Sequence, residues 1–240
     1  MVDYIYGKNV VLNSLKRNKE ITNLYLLTGR RDNEIENLAK KKEISIEYLS
    51  RQQMDKLVNG NHQGYIAEIE KYEYHDINDI VDSIPEGKIP LLVALDGIQD
   101  PHNLGAVLRT MACVGGDGVI IEKNRSVQLN GTVAKVSVGA IDIVKVAQVA
   151  NLPTTLRNLK EKGFWVIGTD VNNASDYRSL DYKMPTVLVI GSEGKGMHRL
   201  VRETCDFNVT LPMESDIGSL NASVAAGILL YEIYSQRFPL

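Results

Sequence analysis

The sequence is poor in cysteine and lacks any apolar run long enough to cross a membrane. Its two cysteines, Cys113 and Cys205, lie in apolar stretches that have no CxxC spacing and no histidine partner nearby. This pattern argues against a disulfide framework or a metal site, and it predicts two buried, reduced thiols. A membrane helix needs roughly 20 consecutive apolar residues. We therefore expect a cytoplasmic protein with no membrane partner and no bound metal.

A surplus of positive charge is also missing. The chain has 27 Lys and Arg residues against 30 Asp and Glu residues, and its pI is near 5.9. Proteins that bind nucleic acids are usually basic, so composition alone gives no indication of an RNA partner. The basic residues do form short clusters, each of which by itself predicts a solvated surface. These clusters are Lys16-Arg17, Arg30-Arg31, Lys40-Lys41-Lys42, the group of Lys123, Arg125 and Lys135, and the group of Lys195, Arg199 and Arg202.

Two domains are predicted from the patterning of the chain. The hydrophobic content of 44% and the charged content of 24% are those of an ordinary globular protein. Short helical and strand patterns alternate over residues 1–74, which predicts a small α/β domain. Residues 75–88 are polar and contain Pro85 and Gly87, so we expect a linker there. Residues 89–240 then form the second domain.

The second domain has the pattern of a doubly covered parallel sheet. Six apolar segments rich in Val, Ile and Leu alternate with helical patterns and show no inside–outside alternation of their own, which is typical of strands buried on both faces. They are Leu91–Leu95, Val119–Ile121, Ile143–Val149, Phe164–Thr169, Val187–Ile190 and Phe207–Leu211. Ligands bind beyond the carboxyl ends of the strands in such α/β sheets. The loops that follow these strands are therefore the candidate site.

The first of these loops runs from Asp96 to Arg109. We expect Asn103 to cap a helix that carries Arg109. Six residues correspond to about 9 Å along a helix, so both side chains could reach one ligand. The plain alternative is a capped helix with a solvated arginine.

Two further loops follow apolar segments. The loop Gly191-Ser-Glu-Gly-Lys-Gly196 does not match the Walker A motif, which needs Ser or Thr directly after Gly-Lys, and so we reject ATP and GTP. No GxGxxG follows the first strand of the domain, which argues against a dinucleotide fold. A glycine loop that lets a flat ligand approach the backbone remains. The last loop contains Ser219 and Asn221, either of which could cap the apolar helix that follows.

In order and spacing, the three loops resemble the motifs of the SpoU branch of the SPOUT RNA methyltransferases over residues 96–234. Tyr6-Gly-Lys and His62-Gln-Gly64 match the N-terminal part of that family. The resemblance implies a deep trefoil knot in the second domain, an L30e-like RNA-binding first domain and a homodimer. It also implies S-adenosylmethionine as cofactor, with S-adenosylhomocysteine as product. The residues that it places around the adenosine are Thr169, Gly191, Leu211 and Leu220.

The same resemblance implies methyl transfer to the ribose 2′-hydroxyl of a guanosine in 23S ribosomal RNA. It assigns activation of the hydroxyl to Arg109, and the supporting residues are Asn103, Glu193, Ser219 and Asn221. A guanidinium normally stays protonated, so Arg109 is either an unusual base or a cation that stabilises a forming alkoxide. Two other functions stay open: methylation of tRNA, and a non-catalytic role in ribosome assembly on a methyltransferase scaffold.

Overall fold

The computed structural model describes residues 3–17, 21–69, 72–171, 174–214 and 218–239 of the 240-residue chain. These residues divide into two compact units. The first unit contains the chain up to Glu73 and also Leu129–Ile141, whereas the second contains Tyr74–Gln128 and Asp142–Leu240.

The helices and strands, in chain order, are β1 (Asp3–Tyr6), α1 (Lys8–Lys16), β2 (Ile21–Leu27), α2 (Asn33–Lys41), β3 (Ser45–Leu49), α3 (Arg51–Leu57), β4 (Tyr65–Ile69), α4 (Ile77–Asp82), β5 (Leu91–Asp96), α5 (Pro101–Val114), β6 (Gly118–Glu122), α6 (Gly131–Ser137), β7 (Lys145–Val149), α7 (Leu152–Glu161), β8 (Trp165–Thr169), β9 (Ser175–Asp176), β10 (Thr186–Gly191), α8 (Arg199–Thr204), β11 (Phe207–Thr210) and α9 (Ala222–Arg237).

The first unit is a four-stranded mixed sheet with the strand order β1-β4-β2-β3. Strand β4 runs antiparallel to both of its neighbours, while β2 and β3 are parallel. Helix α6 packs against β1 although more than 120 residues separate them in sequence. The contact is close because a side chain at Gly131 would collide with the backbone carbonyl of Tyr4. The sequence patterns did not predict α6 or its place in this unit.

The second unit confirms the prediction of an α/β fold with a mostly parallel sheet. Its seven strands follow the order β7-β6-β5-β10-β8-β11-β9, and every pair along this order is parallel. All six side chains of β5 are buried, as expected for a strand with both faces covered. The six predicted strands lie within two residues of their observed bounds, whereas the two-residue strand β9 was missed. The trefoil knot stays a prediction.

Neighbouring parallel strands place the three predicted loops at one edge of this sheet. Strand β10 pairs with β5 so that Gly191 lies beside Asp96 at the carboxyl ends of both strands. Strand β8 is the other neighbour of β10, and β11, which precedes the third loop, pairs with β8 so that Val209 lies beside Thr169. The three loops therefore start at the same edge of the sheet.

Two predictions about α5 are wrong. The helix is capped by Asp100, whose Oδ1 accepts a hydrogen bond from His102 N at 2.8 Å, and not by Asn103. Pro101 suits the first helical position because its missing N–H needs no partner there. Cys113 is exposed, since Met111 and Val114 occupy the core side of the helix.

Cys205 is partly buried, and burial raises the pKa of its thiol to about 12. Both cysteines are free. Within the described ranges, no helix is long and apolar enough to span a bilayer.

Candidate active site

A cleft of about 380 Å³ opens at the carboxyl edge of the second unit's sheet. This volume falls in the range of roughly 300–1,000 Å³ that is usual for small-molecule sites. The four residues predicted to surround an adenosine, Thr169, Gly191, Leu211 and Leu220, all line the cleft. Other lining residues are Asp170, Val171, Ile190, Ser192, Glu193, Gly194, Lys195, Gly196, Arg202, Val209, Thr210, Met213, Gly218, Ser219, Ala222 and Ala225.

The glycine loop forms one wall of the cleft by folding back on itself. Ser192 and Gly196 exchange backbone hydrogen bonds of 3.1 and 2.8 Å. A side chain at Gly191 would overlap the backbone of Gly196 and Met197, so only glycine fits at the start of the loop. Gly194 and Gly196 have φ values of 78° and 65°, which L side chains rarely adopt. The glycines are therefore required by the loop itself, and they leave its backbone accessible to a ligand.

Three predicted catalytic residues form one hydrogen-bonded cluster. Asn103 Nδ2 donates to Glu193 Oε1 at 3.0 Å, and Asn221 Nδ2 donates to the same oxygen at 2.5 Å. Asn221 Nδ2 also contacts Asn103 Oδ1 at 2.9 Å. The three side chains come from the first turn of α5, the glycine loop and the start of α9, so the cluster joins these three segments. Asn103 is buried, whereas Glu193 and Asn221 are exposed, so the cluster runs from the protein interior to the surface.

Asn221 is also the N-terminal cap of α9, a role that the sequence left open between Ser219 and Asn221. Its Oδ1 accepts hydrogen bonds from Ser223 N at 3.0 Å and Val224 N at 3.2 Å. Glu193 Oε1 accepts a further hydrogen bond from Ala222 N at 3.2 Å. The carboxylate thus lies at the positive N-terminal end of α9, where the helix dipole favours a negative charge.

A buried aspartate that the sequence reasoning did not use holds the glycine loop against β5. Asp96 is 1% exposed and accepts hydrogen bonds from His198 N and His198 Nδ1, both at 2.6 Å. His198 was assigned no role from the sequence. The signal that could have found this pair is a carboxylate at the very end of a fully apolar strand, because such a buried charge needs a partner.

A second pair missed from the sequence lies in the cleft wall. Arg202 Nε contacts Asp170 Oδ2 at 2.5 Å, and the Asp170 side chain is only 7% exposed. Thr169 uses its hydroxyl in the fold, since Oγ1 donates to Val189 O at 3.1 Å. The wall beyond β8 is therefore fixed by polar contacts of its own.

Arg109 and Ser219 stand apart from the cluster. Ser219 is exposed and lines the cleft. Arg109 is exposed on α5 and, among the described residues, forms no hydrogen bond or ion pair. His102 is exposed in the first turn of the same helix. Within the part of the chain that the structure describes, no group of three His, Cys, Asp or Glu residues could hold a metal ion.

Solved structures share this fold over nearly the whole chain. The SpoU methyltransferase AviRb from Streptomyces viridochromogenes, in complex with the cofactor AdoMet, superposes with a TM-score of 0.82 at 21% identity, covering 98% of this chain and 90% of that one. The AdoMet-bound rRNA methyltransferase from Sinorhizobium meliloti gives a TM-score of 0.82 at 23% identity, covering 99% and 88%. The fold is that of the SpoU methyltransferases.

Sequence comparison adds the family. The profile of the SpoU rRNA Methylase family matches residues 90–231, and the profile for RNA 2′-O ribose methyltransferase substrate binding matches residues 4–75. A protein named as a TrmH family tRNA/rRNA methyltransferase, YacO of Bacillus subtilis (strain 168), is 47% identical over 242 residues, which cover 99% of this chain and 97% of YacO. A relative of the same family name from Staphylococcus aureus (strain COL) is 44% identical over 238 residues, 97% of this chain and 96% of its own. The chain belongs to the SpoU (TrmH-like) family of RNA methyltransferases.

S-adenosylmethionine is the cofactor of these enzymes, and the residues of the cleft fit it. The bare glycine loop offers backbone groups to a planar adenine, while Leu211 and Leu220 supply apolar contacts. No GxGxxG loop or Walker A lysine is needed, because the cofactor carries no phosphate. Glu193 and Asn221 lie where the cleft meets the hydrogen-bonded cluster.

The edge of the same sheet contains a carboxyl group in an unfavourable setting. Glu122 ends β6 beside Asp96, and its buried Oε2 has no hydrogen-bond partner among the described residues. Burial, and then the negative charge of Asp96, raises the pKa of Glu122 above its ordinary value. Ionised Glu122 therefore destabilises the folded protein.

We predict that Glu122→Gln raises the free energy of unfolding near pH 7 and changes it little near pH 4. A raised carboxyl pKa means that wild type loses stability as the pH increases from the unfolded pKa, about 4.3, through the folded pKa, and the amide removes this loss. Urea unfolding at both pH values measures the effect, with Glu161→Gln on the exposed surface of α7 as control. An equal gain at both pH values would show that ionisation of Glu122 is not the cause.

Proposed function

We propose that the chain transfers the methyl group of S-adenosylmethionine to the ribose 2′-hydroxyl of a guanosine in 23S ribosomal RNA. The observation that carries the proposal is the cluster of Asn103, Glu193 and Asn221 beside the cofactor cleft. A non-catalytic scaffold would not need a cofactor-sized cleft next to this cluster. The ribosomal substrate is supported by the match to the SpoU rRNA Methylase family. The alternative substrate is tRNA, because the names of the relatives include both tRNA and rRNA.

Most residues of the site position the reacting groups for methyl transfer. When bound, the cofactor supplies an electrophilic methyl group, and the protein must bring a ribose hydroxyl into line with it. Asn103 and Asn221 are held by Glu193, so their geometry is set before the RNA arrives. Ser219 is exposed at the cleft and is placed to contact the ribose or the cofactor. Such prior organisation reduces the entropy lost when the reacting groups are aligned.

We assign activation of the ribose 2′-hydroxyl to Arg109. Its side chain is exposed and forms no ion pair with a carboxylate among the described residues. It is therefore available to bind RNA. As a cation it would draw in the phosphate and stabilise the negative charge that develops on the 2′-oxygen. A role as a base would require a guanidinium that gives up its proton, which side chains of this type rarely do.

Mapping of 2′-O-methyl groups in ribosomal and transfer RNA tests the substrate. Cells that lack the protein should lose one 2′-O-methylguanosine in 23S RNA, and the purified chain with S-adenosylmethionine should restore it. Loss of a methyl group from tRNA alone would favour the alternative substrate. An unchanged pattern in both RNAs would contradict the proposed function.

Replacing Arg109 should slow methyl transfer and leave cofactor binding unchanged. We expect Arg109→Ala to lower the single-turnover methylation rate on the order of a hundredfold, matching the loss of a transition-state donor worth about 3 kcal/mol. Calorimetry should show unchanged affinity for S-adenosylmethionine. Arg157→Ala, which removes an exposed arginine on α7, is the matched control.

Arg109→Lys separates the two roles of this residue. Lysine keeps the charge but not the planar fork of donors, so substantial rescue would favour charge stabilisation. A failure to rescue would favour guanidinium geometry or a deprotonated arginine. A near-normal rate for Arg109→Ala would show that another residue activates the hydroxyl.

We also propose that the chain acts as a homodimer through α9. One face of this helix packs on the core through Ala226, Leu229 and Ile233. The opposite face presents apolar side chains to solvent, and monomeric proteins rarely expose such a continuous stripe. The stripe consists of Val224, Ile228, Tyr231, Tyr234 and Phe238, which are 38–60% exposed. A second copy placed on it would lie close to the start of α9 and thus to the site.

Sedimentation should show a dimer at micromolar concentration and a monomer for Tyr231→Asp, because a buried, unpaired charge opposes association. Leu200→Asp places the same charge at an exposed apolar residue on α8 and should leave the dimer intact. A monomeric wild type would contradict this proposal without touching the assignment of the reaction.

The two family matches suggest that the two domains have different functions. We propose that residues 1–74 recognise RNA, that residues 75–88 connect the domains and that residues 89–240 carry the chemistry. The substrate-binding match to residues 4–75 supports the first part.

A further inference from the structure

In the first unit, a strained loop is held in one conformation. Residues 59–64 connect the end of α3 to β4, and Gln63 has a φ of 56° while Gly64 has a φ of 80°. His62 is 5% exposed, and its Nδ1 accepts a hydrogen bond from Gly64 N at 2.9 Å. Its Nε2 contacts Asp55 Oδ1 at 3.0 Å. His62 therefore shapes the loop from below, and the exposed side chains are those of its neighbours.

Three basic residues from distant parts of the sequence contact this loop. Lys8 contributes its backbone N–H, which donates to Gln63 Oε1 at 3.1 Å, whereas Arg30 and Lys135 contribute their cationic groups: the Arg30 guanidinium donates to the backbone carbonyl of Gln63, and Lys135 Nζ donates to Asn61 O at 2.6 Å. Arg30 also lies 5.3 Å from the centre of the Tyr65 ring. We call the loop 59–64 with Lys8, Arg30 and Lys135 the loop face.

The loop face has an excess of positive charge that the whole chain lacks. Lys8 pairs with Asp32 at 2.7 Å, whereas Arg30 and Lys135 form no ion pair with any described carboxylate. The basic cluster at Lys16 differs, since Lys16 is neutralised by Glu34 at 2.7 Å. At the loop face, by contrast, two cations without a carboxylate partner among the described residues lie beside the backbone of Asn61 and Gln63.

Exposed amides complete the loop face. Asn61 and Gln63 are exposed, and their Nδ2 and Nε2 groups donate no hydrogen bond to a described residue. Such amides can read the edges of unstacked bases, and lysine and arginine bind the phosphates between them. Single-stranded RNA loops present both groups together.

We infer that the loop face holds a single-stranded loop of the RNA substrate, with phosphates on Arg30 and Lys135 and base edges on Asn61 and Gln63. The inference rests on the proposed function, since it takes RNA as the substrate. Lys135 belongs to α6, whose residues fall within the SpoU methylase match at 90–231 but pack in the first unit. The RNA-binding surface is therefore composed of residues from both family matches.

Filter binding of the full-length chain to an unmodified 23S RNA transcript, between roughly 50 and 200 mM salt, tests the loop face. We expect Arg30→Gln and Lys135→Gln each to weaken binding roughly three- to tenfold and to reduce the salt slope by about 1. Asn61→Ser should weaken binding without changing the slope, because it replaces the amide by a shorter hydroxyl and removes no charge. Lys41→Gln, on the exposed end of α2, should behave as wild type.

Two measurements keep the interpretation specific. Lys135→Arg keeps the charge and should keep the salt slope, so a loss shared by Lys135→Arg and Lys135→Gln would indicate damaged packing and overturn the phosphate contact. Affinity for S-adenosylmethionine should stay unchanged in every variant. If wild type neither binds nor methylates RNA, the proposed function fails. If wild type methylates RNA while Arg30→Gln and Lys135→Gln bind it normally, the loop face alone is wrong.

Discussion

Glu193 Oε1 accepts hydrogen bonds from the Asn103 amide, the Asn221 amide and the backbone N–H of Ala222. One carboxylate oxygen therefore joins the first turn of α5, the glycine loop and the start of α9. A carboxylate acceptor strengthens each of these hydrogen bonds, and Asn103 is the buried member of the cluster. This oxygen is thus the one acceptor in the cluster that contacts all three segments directly.

The parallel sheet is what brings these loops within reach of that oxygen. Strands β5 and β10 pair in register from Leu91 with Thr186 to Asp96 with Gly191, so their carboxyl ends coincide. Asp96 then binds His198 at the far end of the glycine loop, and Gly191 admits the backbone that folds over it. The cleft is the space left between these loops, and its wall combines glycines with apolar and polar side chains.

Much of this arrangement was predictable because each local signal agreed with the next. Apolar strands without alternation predicted a parallel sheet, and the loops after them contained residues that line the cleft or form the cluster. The failures have local causes too. Asn103 was expected to cap α5, but Asp100 precedes the proline that opens the helix. Cys113 was expected in the core, but a helix has one buried side and Cys113 lies on the other.

By itself, the sequence determined the class of fold, the family and the set of loops that contain the site, because hydrophobic periodicity and motif spacing are properties of neighbouring residues. The tertiary structure decided which residues meet. Asp96 with His198, Asp170 with Arg202, and α6 with β1 are contacts between segments up to more than a hundred residues apart. No local pattern encodes such pairs, since their contact depends on strand order and on which face of each element is buried.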